Sequence, residues 1–157
     1  MGLMLGEFTE RLYDIVEHIL PVREIVCKAL DEAEQIHPSK QIIVVEKSCP
    51  FMDYLIEIEK ERGIEGQTKF AVFCNDDGSW YENDLWYIIN RRIRGINLKK
   101  GSFELRKVLL PKCLGLRDDA LSQACGIPDC VFVHINGFLG INKTKEGALQ
   151  MAIQSLE

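Results

Sequence analysis

The chain has 157 residues, 46% of them hydrophobic and 27% charged, with a formal net charge of −5. Such totals suit one globular domain and exclude collagen-like, coiled-coil and disordered classes. The longest aliphatic run, Ile42 to Val45, falls far short of the ~18 apolar residues of a membrane span, so no membrane partner is expected.

The opening segment "MGLMLGEFTERLYD" carries acids and no basic region, unlike a secretion signal or an Arg-rich transit peptide. From Leu5 to Ala33 apolar residues recur at helical spacing, and Pro21 is expected to end or kink this helix near Leu20. "QIIVVEK" follows as a β-branched buried strand over 41–46. Ser48-Cys49-Pro50 then signals the helix "FMDYLIEIEKERG", which Gly63 closes. "KFAVFCN" gives a strand at 69–75, Asp77-Gly78 a turn, and 80–89 a return strand, with "LWYIINRRIRG" extending the return or forming another. The segment 95–111 lacks a sustained period and reads as a long basic loop. "GLRDDALSQACG" is a short helix with Asp118 and Asp119 in its first turn and Gly126 after its end. "CVFVHINGFLGIN" is a hairpin about Asn136-Gly137, with strands at 130–135 and 138–141, and Thr144 caps a last helix from Lys145 to about Ser155. The expected fold is therefore α+β: a single domain over 1–157, with a mostly antiparallel sheet of about five strands and four to five packed helices.

Charge is unevenly divided. Residues 1–65 hold 7 Lys/Arg against 14 Asp/Glu, net −7, whereas 66–157 hold 12 against 10, net +2. Within 91–117, nine Lys and Arg face only Glu104, an excess of +8 that can attract polyanions. Beside Trp86, Tyr87 and Phe103, these cations could contact phosphates and stack bases of single-stranded nucleic acid; a solvated loop balancing the acidic half is the plainer alternative.

The last hairpin offers a second candidate. A strand ends at His134, the backbone turns at Gly137, Gly140 permits close approach, and a helix starts at Thr144 between Lys143 and Lys145. Helix-start N–H groups and ammonium groups together can seat a phosphate or carboxylate. The competing reading is architectural, with a turn, a bulge and a cap. Motifs for a catalytic centre are missing: the three His are far apart, and HExxH, GxSxG and Walker A do not occur. Asp76-Asp77 and Asp118-Asp119 suit a turn and a helix start better than a metal. The six cysteines (27, 49, 74, 113, 125, 130) show no CxxC, which favours reduced, buried thiols and a reducing intracellular compartment, with cytoplasm, nucleus and mitochondrion undistinguished.

The segments "GSFELRKVLLP", "GLRDDALSQACGIPDCVFVHINGFLG" and "TKEGALQMA", with "EFTERL", "LPVREIVCKAL" and "CPFMDYL" upstream, resemble the melanocyte proliferating gene proteins, a family related to the DHH phosphoesterases. The likeness covers essentially the whole chain. It implies the carboxy-terminal, substrate-side half of a metal-dependent RNA exonuclease acting from the 3′ end, with Mn or Mg held in an amino-terminal Asp-His-His type domain absent here. The implied partners are that catalytic domain and single-stranded RNA or a nucleotide, and this chain itself carries no catalytic or metal residues. "HINGFLGIN" resembles the Gly-rich, His-bearing substrate motif of DHH enzymes, although Gly140-Ile141-Asn142 replaces the family's Gly-Gly-His and loses the imidazole. The expected phosphate-binding groups are Arg117, His134, Asn136, Gly137, Gly140, Asn142, Lys143 and Thr144. Two alternatives stay open: a stand-alone nucleic-acid-binding module using 91–117, and a purely structural or homodimerising domain.

Overall fold

The computed structural model describes residues 9, 20–45, 49–74 and 91–157, the side chains of Leu20 and Cys74 excepted. In chain order these form α1 (Leu20–Asp31), α2 (Ala33–Ile36), β1 (Ile42–Val45), α3 (Met52–Glu61), β2 (Phe70–Cys74) and β3 (Arg91–Gly95). A 3-10 turn (Pro111–Cys113), α4 (Asp118–Cys125), β4 (Cys130–Val133), β5 (Leu139–Asn142) and α5 (Lys145–Leu156) complete them. The class is α+β, and the sheet order is β1-β2-β3-β5-β4.

Every junction is antiparallel except β1–β2, which is parallel because α3 carries the chain from the end of β1 back to the start of β2. Pro21 is the second residue of α1, where a missing N–H costs nothing; of the helix expected before it Thr9 is described, and it is helical, while the rest lies outside the described residues. So do the Asp77-Gly78 turn and the strand expected at 80–89, while "RRIRG" forms a strand of its own. Gly126 takes φ +73° and closes α4 by donating to the Ser122 carbonyl. The Thr144 hydroxyl accepts from the Gly147 N–H at 2.9 Å and so starts α5.

Alternation along the strands divides the core in two. Ile42, Val44, Phe70, Val72 and Ile93 face α5, α4 and the Leu109–Cys113 segment, whereas Ile43, Val45 and Ala71 face α1 and α3 through Val26, Leu55 and Ile58. A bulge interrupts β4: Cys130 pairs with Asn142 but Phe132 pairs with Ile141, leaving Val131 as the extra residue.

The segment 96–110 is fastened by a buried ion pair. Glu59, fully buried on α3, accepts from the Thr68 N–H at 2.9 Å and meets Arg106 Nη1 at 2.7 Å, and the same guanidinium donates to the Thr68 carbonyl at 2.9 Å. Loss of one partner strands a charge in a dry site. Arg106→Met should cost about 3–5 kcal/mol in urea unfolding, more than the double change Glu59→Leu/Arg106→Met, which removes both charges.

Candidate nucleic-acid interface

The hairpin tip is organised by short-range hydrogen bonds. Gly137, at φ +71°, donates to the His134 carbonyl at 2.8 Å, and its own carbonyl accepts from Leu109 N–H at 3.0 Å. His134 Nδ1 accepts from the Asn136 N–H at 3.1 Å, so a neutral ring carries its proton on Nε2. That ring leans on Phe138 with centroids 4.4 Å apart and meets Phe132 edge-on at 6.3 Å.

Arg117 reaches the same place from the sheet edge. Residues 115–117 run along β4, with Gly115 N–H donating to Val133 and Val133 N–H donating to Leu116, and this seats the guanidinium carbon 5.2 Å from the Phe132 ring centre. Arg117, Phe132, His134 and Phe138 are thus one contiguous cationic and aromatic row.

The other expected residues lie elsewhere. Asn142, Lys143 and Thr144 stand at the opposite end of β5, five or more residues beyond the Gly137 turn and so roughly 16 Å from it at ~3.3 Å per strand residue. Asn142 is fully buried: Nδ2 donates to the Pro128 carbonyl at 3.0 Å, and Oδ1 accepts from Thr144 N–H and hydroxyl at 2.8 and 3.1 Å. Its polar groups are spent on the start of α5. Gly140 is buried too, and a Cβ there would run into Leu109 Cδ2 and press on Met151 Cε at 3.3 Å, so close packing accounts for this glycine. Lys143 is exposed, its backbone N–H donating to Asp129.

The pairing register aligns the site on a larger surface. Arg92 and Arg94 on β3 are partnered by Ile141 and Leu139 on β5, and Phe132 on β4 is partnered by Ile141. Their side chains share the sheet face opposite Ile93 and Gly140. Residue types alone placed Arg92 and Arg94 in an undifferentiated basic stretch, although the Arg-Ile-Arg alternation is a period-two signal that sets both on one face. Among the described residues, three of the nine cations in 91–117 bond their side chains to another residue's oxygen: Arg106 with Glu59, Lys100 with Glu57 at 2.8 Å, and Lys107 with the Leu156 carbonyl at 2.8 Å.

The profile MYG1_exonuc, described as Uncharacterised protein family (UPF0160), matches residues 1–156. The chain belongs to the MYG1 exonuclease family. It is 40% identical over 156 residues to the MYG1 protein of Dictyostelium discoideum, covering 99% of this chain and 44% of that protein. Against MYG1 exonuclease of Homo sapiens it is 36% identical over 158 residues, covering 99% and 39%, and against that of Bos taurus 37% over 157, covering 99% and 38%. The chain therefore spans about two fifths of the length of these MYG1 relatives. No solved structure matches it.

The resemblance implied Mn or Mg for a MYG1 exonuclease. Among the described residues, no group of three or more His, Cys, Asp or Glu could hold a metal ion. Asp118 and Asp119 occupy the first turn of α4, and His37 Nδ1 is bonded to Ser39 Oγ at 2.7 Å. This donor set does not fit the ion. Nor is a nucleophilic thiol available at Cys130, whose pKa is pushed from 9.0 to about 11 by burial and by the adjacent Cys125 thiol, 3.7 Å away. The neutral thiol is the form that folding favours, so its stabilising share is complete below pH 9 and disappears as pH rises towards 11.

Two measurements follow from this geometry. Asn142→Ala should lower stability by about 2–3 kcal/mol in chemical denaturation, because buried partners lose their bonds. Between pH 9 and 11 the unfolding midpoint should fall, and Cys130→Ser should flatten part of that fall.

Proposed function

We propose that this chain is the substrate-side part of a metal-dependent 3′-to-5′ RNA exonuclease, supplying phosphate-binding groups while the metal centre lies in a portion of the protein outside this chain. The reading rests on family membership together with the share of the relatives' length that the chain covers. The observation that carries it is the row Arg117, Phe132, His134 and Phe138 on the edge hairpin.

Each expected residue has a role in this scheme. Arg117 attracts and orients a phosphate by charge and by its planar fork of donors. His134 offers Nε2–H, Asn136 an amide, and Gly137 a turn that brings the backbone to the surface. At the other end of β5, Lys143 is a second point of charge, and Gly140, Asn142 and Thr144 set the strand-to-helix geometry that presents it. Two contact points along one edge suit a strand that extends over more than one nucleotide, with phosphate contacts fixing register and no base being read.

The test is a fluorescence titration of the purified chain with short single-stranded RNA and with mononucleotides, at low and moderate salt, beside Arg117→Gln, His134→Ala and Lys143→Glu. Affinity should fall with salt, and loss of one phosphate contact should lower the slope of log affinity against log salt by about 0.7. The isolated chain should cleave no RNA with Mn or Mg present. Metal-dependent hydrolysis by the pure chain, abolished by His134→Ala, would overturn the assignment.

A further inference from the structure

A groove of about 660 Å³ opens on the same sheet face, some way from the hairpin row. Its walls are the start of α3 from Cys49 to Asp53, Phe73 on β2, Arg92 and Arg94 on β3, and the loop from Asn97 to Phe103. We infer that this groove binds one base-and-phosphate unit of a single-stranded nucleic acid, with Arg92 and Arg94 on the phosphate and Phe103 against the base. The inference rests on the proposed nucleic-acid substrate and adds a second site for it.

The arginines are the first argument. They flank Ile93, which points into the opposite core, so strand alternation turns both towards the groove. Both are partly buried, and the Nε atom of each is shut off from water without a hydrogen-bond partner. Among the described residues no carboxylate pairs with either. A shielded N–H with no acceptor is costly, and an anion entering the groove supplies acceptors to two forked donors at once.

Charge decides which ligand fits. Lys100 on the rim is neutralised by Glu57, whose carboxyl it holds below the usual carboxylate range through their hydrogen bond and charge attraction. Arg92 and Arg94 against Asp53 then leave the lining at +1, which matches the single negative charge of one phosphodiester unit. The volume is that of a small-ligand cleft.

Phe103 supplies the third argument. It is 99% exposed, the extreme for a large apolar side chain among the described residues. Its loop is nonetheless fixed: Leu98 N–H donates to the Glu104 carbonyl at 2.6 Å, Ser102 N–H to Lys99 at 3.1 Å, and Glu104 N–H to the Ser102 hydroxyl at 3.1 Å. A bare ring on a rigid loop beside cations is the arrangement that stacks bases without sequence preference.

The experiment measures the affinity of the full chain for a labelled short oligoribonucleotide and for an abasic strand of equal charge, across a salt series. Arg92→Gln/Arg94→Gln should weaken the oligoribonucleotide at least tenfold and lower its salt slope by about 0.7, with Arg92→Lys/Arg94→Lys in between. Phe103→Ala, whose exposed ring plays no part in folding, should cost about five- to a hundredfold, leave the salt slope unchanged and abolish the preference over the abasic strand. If these variants bind like the wild type while Arg117→Gln/His134→Ala does not, the groove is not a site and the hairpin reading survives. If the groove variants lose binding and the hairpin variant keeps it, the groove stands and the hairpin assignment falls. A folded wild-type chain that binds neither strand at low salt, or that prefers an acidic peptide, overturns the groove as a nucleic-acid site.

Discussion

The buried Glu59–Arg106 pair fixes the position of everything that follows β3. One guanidinium joins a helix on one side of the sheet to the approach to β2 and to a loop whose own regular structure is a single bridge, Asn97 with Leu105. Loops of this length usually wander over the surface; here a desolvated charge pair sets the path in from Ile96 and out to Leu109. Leu109 in turn receives the hairpin turn through Gly137 and fills the space that Gly140 leaves open. The pair therefore links the acidic helical half to the hairpin, although it touches neither proposed binding group.

Among the described residues the sheet is covered unequally, and its chemistry follows the cover. One face meets α4, α5 and the Leu109–Cys113 segment over a continuous apolar core. On the other, α1 and α3 pack over β1 and β2, and among the described residues their cluster takes nothing from β3, β4 or β5. There the sheet presents Arg92, Arg94, Leu139, Ile141 and Phe132 in place of a closed aliphatic layer. Charge and aromatic carbon at such positions suit a surface that is wetted in the free protein and desolvated when something binds.

What could be read from the sequence was local. Thr144 as a cap, Gly126 as a stop and Asn136-Gly137 as a turn each depend on a few neighbouring residues, and the chain folds there as those neighbours dictate. The parallel β1–β2 pair, the partnership of Glu59 with Arg106 and the clash that keeps residue 140 a glycine depend on residues far apart in sequence. The candidate site divides likewise. Asn142 had the composition of a ligand contact, yet the nearest groups wanting its hydrogen bonds were those of its own chain. Arg92 and Arg94 looked like part of an undifferentiated basic run until pairing assigned them a face.

Val131 makes the edge of this sheet a matter of parity. With strict alternation from Cys130, Phe132 and His134 would turn towards the core and Val133 away from it; the extra residue restores Phe132 to the outer face and Val133 to the interior. The segment between Gly126 and His134 can therefore vary in its side chains more freely than in its length. An insertion or deletion of a single residue there would exchange the inner and outer faces of the strand and dismantle the aromatic row without altering one of its members.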